Sequence, residues 1–233
     1  MTKACLPLFL LALAFAPASA EERPILVELF TSEGCSSCPP ADALLAELAA
    51  RSEVLALSLH VDYWDRLGWK DPFSSPAATQ RQQRYADLLG LATIYTPQIV
   101  VDGKWQAVGS DRVEIEQALG SARRDRRQVP VTLALDHGNA KITLGPGGDA
   151  LPATVILIGF DRRHVTPVAR GENAGRTLTH ADVVRSIEEV AKFDGRAGAI
   201  EARLPAHCDR VAAIVQASDG RIIGVAVRDA EPL

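Results

Sequence analysis

The stretch ILVELFTSEGCSSCPP, Ile25 to Pro40, decides how this chain is read. Ile25 to Phe30 is a short, nearly continuous apolar run rich in strand formers, the pattern of a strand covered on both faces of a parallel sheet. Thr31-Ser-Glu-Gly34 is a turn. Ala41 to Ala50 then carries Leu44, Leu45 and Leu48 at helical spacing, with Pro39 and Pro40 at the helix entry, so Cys35 and Cys38 stand at a helix N-terminus. Val54 to Val61 (VLALSLHV) reads as a second buried strand, which makes 25–61 a right-handed βαβ unit with parallel strands.

Further along comes an irregular, aromatic segment from His60 to Phe73, HVDYWDRLGWKDPF, and then a polar helical stretch from Ala77 to Leu89. Thr96-Pro97 precedes a strand at 99–101, Asp102-Gly103 signals a hairpin turn before Trp105 to Val108, and Asp111 is placed to cap a helix from Arg112 to Arg124. At Arg126-Arg-Gln-Val-Pro130 the pattern changes. Short runs at 131–135, 140–144, 153–160, 199–204, 211–217 and 222–227, separated by Gly, Asp and Asn turns, predict a β-rich, sandwich-like unit. The expected division is an export segment at 1–20, an α/β unit at 24–128 and a β-rich unit at 129–233. Thr179 to Phe193 fits either a helix capped by Thr179 or a strand, and Arg123–Arg127 reads as a solvated helix end and linker.

The export segment is read from Lys3 before an apolar run from Leu6 to Ala16 that ends in Ala18-Ser19-Ala20, an A-x-A cleavage pattern. The run is shorter than the roughly 20 residues a membrane span needs, so the expectation is a soluble periplasmic or secreted protein. Removal of that segment takes Cys5 and leaves Cys35, Cys38 and Cys208, a close pair and a distant third. The 25 Lys and Arg against 29 Asp and Glu leave a net charge of −4, which provides no basic field for nucleic acid or anionic lipid.

A C-x-x-C pair also serves as half of a zinc site, but no second C-x-x-C, H-x₃₋₅-H or H-E-x-x-H accompanies it. The coincidence of preceding strand, following proline, helix and downstream Thr96-Pro97 resembles the thioredoxin superfamily, in which the downstream proline is cis and faces the disulfide. LFTSEGCSSCPPAD, HVDYWDRLGWKDPF, YTPQIVVDG and RGENAGRTL look, more narrowly, like a family of uncharacterised, predicted secreted bacterial thioredoxin-like proteins. The resemblance implies an α/β thioredoxin-like domain followed by the β-rich one. It also implies a buried acid, matched here by Glu28, that takes a proton from the resolving cysteine; a strand carboxylate held by hydrogen bonds is the other reading.

Chemically, a thiol at a helix N-terminus has its thiolate stabilised by exposed amides and the helix dipole, which points to Cys35 as nucleophile and Cys38 as the resolving thiol one turn on. Protein or small-molecule thiols and disulfides are the implied partners. The redox-active pair itself serves in place of a cofactor, and no metal is assigned. Tyr63, Trp64, Trp69 and Phe73 follow a strand end, where α/β folds place their crevice, and form either a platform for an extended substrate or a satellite core. Two other readings stay open: a carrier binding Cu(I) through Cys35 and Cys38, with His60 nearby, and an interaction module whose disulfide is structural. Cys208, beside His207, is expected to remain a single thiol.

Overall fold

The computed structural model describes residues 23–125, 128–148 and 152–230. The export segment at 1–20 and part of the basic linker, Arg126 and Arg127, lie outside them. The first half runs β1 (Ile25–Thr31), α1 (Pro39–Ala49), β2 (Val54–His60), a 3₁₀ turn at Asp65–Leu67, α2 (Pro76–Leu89), β3 (Gln98–Val101), β4 (Trp105–Val108) and α3 (Arg112–Arg124). The second half is all strand: β5 (Val131–Asp136), β6 (Asn139–Leu144), β7 (Ala153–Pro167), β8 (Thr177–Phe193), β9 (Gly198–Arg203), β10 (Arg210–Ala217) and β11 (Ile222–Asp229).

These strands do not sort into an α/β domain and a separate sandwich. Eight of them share one mixed sheet in the order β11-β10-β7-β8-β2-β1-β3-β4, and β5-β6-β9 form a second sheet of three. The thioredoxin-like fold class expected from the sequence is thereby corrected: the described chain is 43% strand and 20% helix, a mostly β architecture. The physical reason is the pairing of β8 alongside β2, parallel at Ser58 and Val183. It turns what would have been an outer edge into the middle of a larger sheet.

Side-chain alternation explains how that sheet is covered. In β1, Leu26 and Phe30 face a core shared with Tyr85 of α2 and with Ile156, Ile158, Phe160, Ala212 and Ile214, so one face is continuous from the first half to the second. Ile25, Val27 and Leu29 point the other way, into a core with Leu44, Leu45 and Leu48 of α1 and Leu119 of α3. Further along that same face, Val155, Leu157, Val211 and Val215 pack under the three-stranded sheet with Leu133, Ile142 and Leu144. Strands buried on both faces carry nearly continuous apolar runs, as β1, β2, β10 and the first part of β7 (153–160) do.

Thr179 to Phe193, open between helix and strand in sequence, lies within the 17-residue strand β8, Thr177–Phe193. With the 15-residue β7 it makes a long antiparallel hairpin. The inner ends of the two strands lie in the sheet, and the hairpin tip reaches back over the C-x-x-C turn. Within β8, Asp182 is buried with φ 45°. Burial raises its carboxyl to about 6, although Arg210 and Arg162 pull the opposite way. A carboxyl raised in the folded state holds its proton more tightly than an unfolded one near 3.9, so its effect on stability worsens as pH climbs from about 4 through about 6. Asp182→Asn removes that loss and still tolerates positive φ. It should add about 2 kcal/mol at pH 7.5 and nothing at pH 4, measured by urea unfolding at both.

Candidate functional site

The C-x-x-C turn is built where β1 ends. Cys35 N–H donates to Ser32 O (3.1 Å), and Cys38 N–H donates to Cys35 O (3.2 Å). Cys38 is the N-cap of α1, with Pro39 and Pro40 opening the helix where their missing N–H groups are harmless. Ala41 and Asp42 N–H both donate to Cys38 O. Cys35 and Cys38 are joined as a disulfide with Cα atoms 5.4 Å apart. Both cysteines are fully buried, while Ser36 and Ser37 between them are exposed. The Ser37 hydroxyl lies 3.4 Å from Cys35 Sγ, and because a disulfide sulfur has no proton to give, Ser37 is the donor.

What buries the pair comes from far along the chain. The tip of the β7–β8 hairpin, residues 168–176, forms a strap across the turn. Fully buried Asn173 donates through Nδ2 to Glu33 O and to Cys35 O, both at 2.9 Å. Exposed Glu172 accepts from Ser36 N–H at 3.0 Å, and the Ser36 hydroxyl together with that N–H draws its carboxyl below the usual range. Gly171, with φ +77°, has room for the strap only because it lacks a Cβ, which would lie 3.1 Å from Trp69 Cβ.

Behind the turn lies a buried polar cluster: Glu33, Asp42 of α1, His60 at the end of β2, Asp71, and His180 of β8. His60 Nδ1 meets Asp71 Oδ2 at 2.6 Å, and the same oxygen accepts from Glu33 N–H. Burial alone would lower His60 and raise Asp71, but their mutual attraction prevails: His60 is raised and Asp71 lowered, as in a charged pair. His180 stands between two carboxyls, with Nε2 3.3 Å from Glu33 Oε1 and Nδ1 3.7 Å from Asp42 Oδ2. Among the described residues neither ring nitrogen of His180 makes a hydrogen bond, nor do Glu33 Oε1 and His60 Nε2. The His60 and His180 rings meet edge-on at 4.7 Å, with Phe73 against both.

The remaining residues singled out in the sequence fall into two groups. Trp64, Trp69, Thr96 and Pro97 belong around the turn. Trp69 Nε1 donates to Glu33 Oε2 (2.8 Å) and Trp64 Nε1 to Thr96 Oγ1 (2.8 Å), while Trp64 Cβ sits 3.2 Å from where a Cβ on Gly34 would be. The Thr96-Pro97 peptide is cis. Pro97 and Ala41 of α1 both crowd Gly109, where an added Cβ would lie 2.9 Å from Pro97 Cβ and 3.0 Å from Ala41 Cβ. Tyr63 leans instead onto α2: its hydroxyl donates to Gln82 Oε1 at 3.3 Å, and burial pushes it up to about 12. Glu28 is taken up elsewhere. Its carboxylate is held by Arg81 Nε and Nη2 and by the Tyr85 hydroxyl, on the α2 side of the sheet.

Cys208 is a free, half-buried thiol that donates to Pro205 O, and burial raises it. Among the described residues no group of three or more His, Cys, Asp or Glu is placed to hold a metal ion, and no helix is long and apolar enough to cross a membrane. Sequence reasoning missed Glu33, Asp42, Asp71, Glu172, Asn173 and His180. Asp42 carried a local signal, four residues after Cys38 and so on the same helix face, and Glu33, Asp71, Glu172 and Asn173 lie within the stretches that carry the family resemblance, whereas His180 lies outside them.

The site is thus a disulfide at a helix start, backed by acids and histidines and covered by a hairpin strap. Residues 26–216 match the family described as Protein of unknown function (DUF1223), and the chain belongs to that family. The crystal structure of an Agrobacterium tumefaciens protein is similar, with 30% identity and a TM-score of 0.79 over 92% of this chain and 98% of that one. An endonuclease/exonuclease/phosphatase structure from Beutenbergia cavernae aligns with 18% identity and a TM-score of 0.20 over 44% of this chain and 24% of its own, and carries no argument. No curated protein matches the chain.

Proposed function

We propose that this chain is an exported thiol-disulfide oxidoreductase, or a redox-dependent thiol-binding protein, acting through Cys35 and Cys38 on protein or small-molecule thiols and disulfides. The observation that supports it best is the disulfide at the start of α1, with the Ser37 hydroxyl turned to Cys35 Sγ. On reduction that hydroxyl and the helix-start amides stabilise a Cys35 thiolate, while Cys38 is positioned to resolve a mixed disulfide. Trp64, Trp69 and Thr96 border the turn and supply the wall against which a substrate lies.

A second reading, a structural crosslink, is favoured by the burial of both cysteines. The reduction potential separates the two. An exchanging pair is expected above about −300 mV, whereas a structural bridge lies below it. Cys35→Ser/Cys38→Ser should still melt cooperatively, because a loop this short contributes only about 2 kcal/mol in chain entropy. A potential below that limit together with an unfolded double variant would leave only the structural crosslink.

A further inference from the structure

We propose that the strap side of the Cys35–Cys38 turn is a docking surface for an acidic polypeptide segment, and that Glu172 and Asn173 of the strap hold the place this segment takes. The inference rests on the oxidoreductase reading above and names the class of its partner.

The chain as a whole carries a net charge of −4, yet the side chains that rim this turn are mostly cationic. An added Cβ on Gly171 would lie 3.1 Å from Trp69 Cβ and 3.9 Å from Leu67 O, so the strap and the segment after β2 share one surface. Arg66 and Lys70 come from that segment, Arg170 and Arg176 from the strap, and all four are exposed. Among the described residues none of the four forms an ion pair, whereas Arg84, Arg112 and Arg123 elsewhere on the surface each meet a carboxylate. The acids close by are turned inward: Glu33 accepts from Trp69 and Asp71 meets His60, both in the interior, while Asp65 accepts from Ser74. Clustered cations without counter-charges raise the local potential and draw anions to the surface.

One carboxylate already stands among them. Glu172 accepts from Ser36 N–H at 3.0 Å, and Asn173 donates through Nδ2 to Glu33 O and Cys35 O, both at 2.9 Å. The strap thus offers the turn what an acidic peptide offers, a carboxylate for an N–H between the cysteines and amide hydrogens for two main-chain carbonyls. These groups sit at the tip of a hairpin that is tied to itself by Gly175 N–H to Val168 O, so they leave together. Glu172 is a single anion among four cations. A small anion can replace it on Ser36 N–H, but only an extended chain with several carboxylates also reaches cations on both segments, which selects a polypeptide. Past Pro97 and Gly109 the sign reverses, with Asp111 and Glu114 at the start of α3. The acidic residues of the partner therefore lie on the strap side of its cysteine.

The test compares reduction of the oxidised full chain by two synthetic peptides of equal length, one with its cysteine flanked by Asp and Glu, the other by Lys and Gln. Rates are followed by tryptophan fluorescence and divided by thiolate concentration. The acidic peptide should be about 10- to 100-fold faster at low salt, and the ratio should fall toward one in about 0.5 M NaCl, a readout that needs no variant. Arg66→Gln/Arg170→Gln should cut the low-salt ratio about tenfold, and Arg66→Lys/Arg170→Lys should keep most of it. The acidic peptide with serine in place of cysteine should bind Glu172→Gln about 3- to 10-fold more tightly than wild type, and still more tightly in about 0.5 M NaCl, where the change of charge alone is screened. Equal rates for the two peptides, a ratio insensitive to salt, or a Glu172→Gln protein that binds no tighter overturns the acidic partner and leaves the oxidoreductase reading intact. Mercaptosuccinate, a small dianionic thiol, matching the acidic peptide would also overturn the polypeptide. If no thiol exchanges with the pair, dithiothreitol included, the oxidoreductase reading falls; the serine peptide then decides the surface by itself, which stands with its binding and falls without it.

Discussion

Arg81→Met is expected to cost about 3 to 5 kcal/mol of folding stability, more than any other single substitution considered. Glu28 is fully buried in β1, and its two oxygens are taken by Arg81 Nε, Arg81 Nη2 and the Tyr85 hydroxyl, while Arg81 Nη1 donates to Gln216 Oε1 of β10. One guanidinium from α2 thus ties the first parallel strand to a strand of the second half across the continuous core. Without it the carboxylate keeps its burial and loses its counter-charge, the costly half of a broken buried pair. Adding Glu28→Gln should recover most of the loss, because an amide leaves no net charge behind. Urea unfolding of the single and double variants checks this: a single variant within 1 kcal/mol of wild type, or a double one no better than the single, would show that the pair does not hold α2 to the sheet.

Glu28 also shows where sequence reading runs out. A lone acid within ILVELF announces a buried partner, but nothing local says whether that partner is a cysteine one turn away or an arginine 53 positions on. The βαβ unit, the C-x-x-C at a helix start and the strands other than β8 and the outer part of β7 were legible because each rests on short-range signals: apolar runs, proline at helix entry, Gly and Asp turns. The joining of the halves was not. VILIGF in β7 and VAAIV in β10 are unbroken apolar runs, which suit strands covered on both faces of a large sheet better than one side of a sandwich. The decisive pairing, β8 beside β2, has a register of a single residue pair and a polar sequence, THADVV, whose histidine and aspartate mask a buried strand. The same strand carries His180 and follows the strap with Asn173, so half of the candidate site was concealed with it.

Asn173→Ala is expected to speed reduction of the disulfide, because Asn173 pins the strap to the turn that carries Cys35. Its side chain bonds two main-chain carbonyls that flank the first cysteine, Glu33 O and Cys35 O, and its own Oδ1 accepts from Arg176 Nη1 at 3.0 Å. Main-chain hydrogen bonds across the strap, such as Gly175 N–H to Val168 O at 2.8 Å, keep the tip folded on itself. The tip therefore opens as a unit rather than fraying residue by residue. Asn173→Ala deletes both bonds to the turn, leaving buried Glu33 O without that partner and Cys35 O with only the Cys38 N–H bond, at a net loss of about 1 kcal/mol each. If thiols reach Cys35 only after the strap lifts, their rate follows the population of the open form. A cost of about 2 kcal/mol to the closed form then raises that rate about 30-fold. Global stability should fall by no more than the same amount, and the rest of the hairpin stays paired along β7 and β8. Glu172→Ala should act in the same direction but weakly, since its bond to Ser36 N–H is exposed and screened. The measurement is the pseudo-first-order rate of reduction by dithiothreitol in native buffer, set beside the urea midpoint of each variant. An Asn173→Ala protein that reduces no faster than wild type would mean that thiols reach the sulfurs by a route the strap does not control, or only through global unfolding, in which case the rate would track the urea midpoint alone.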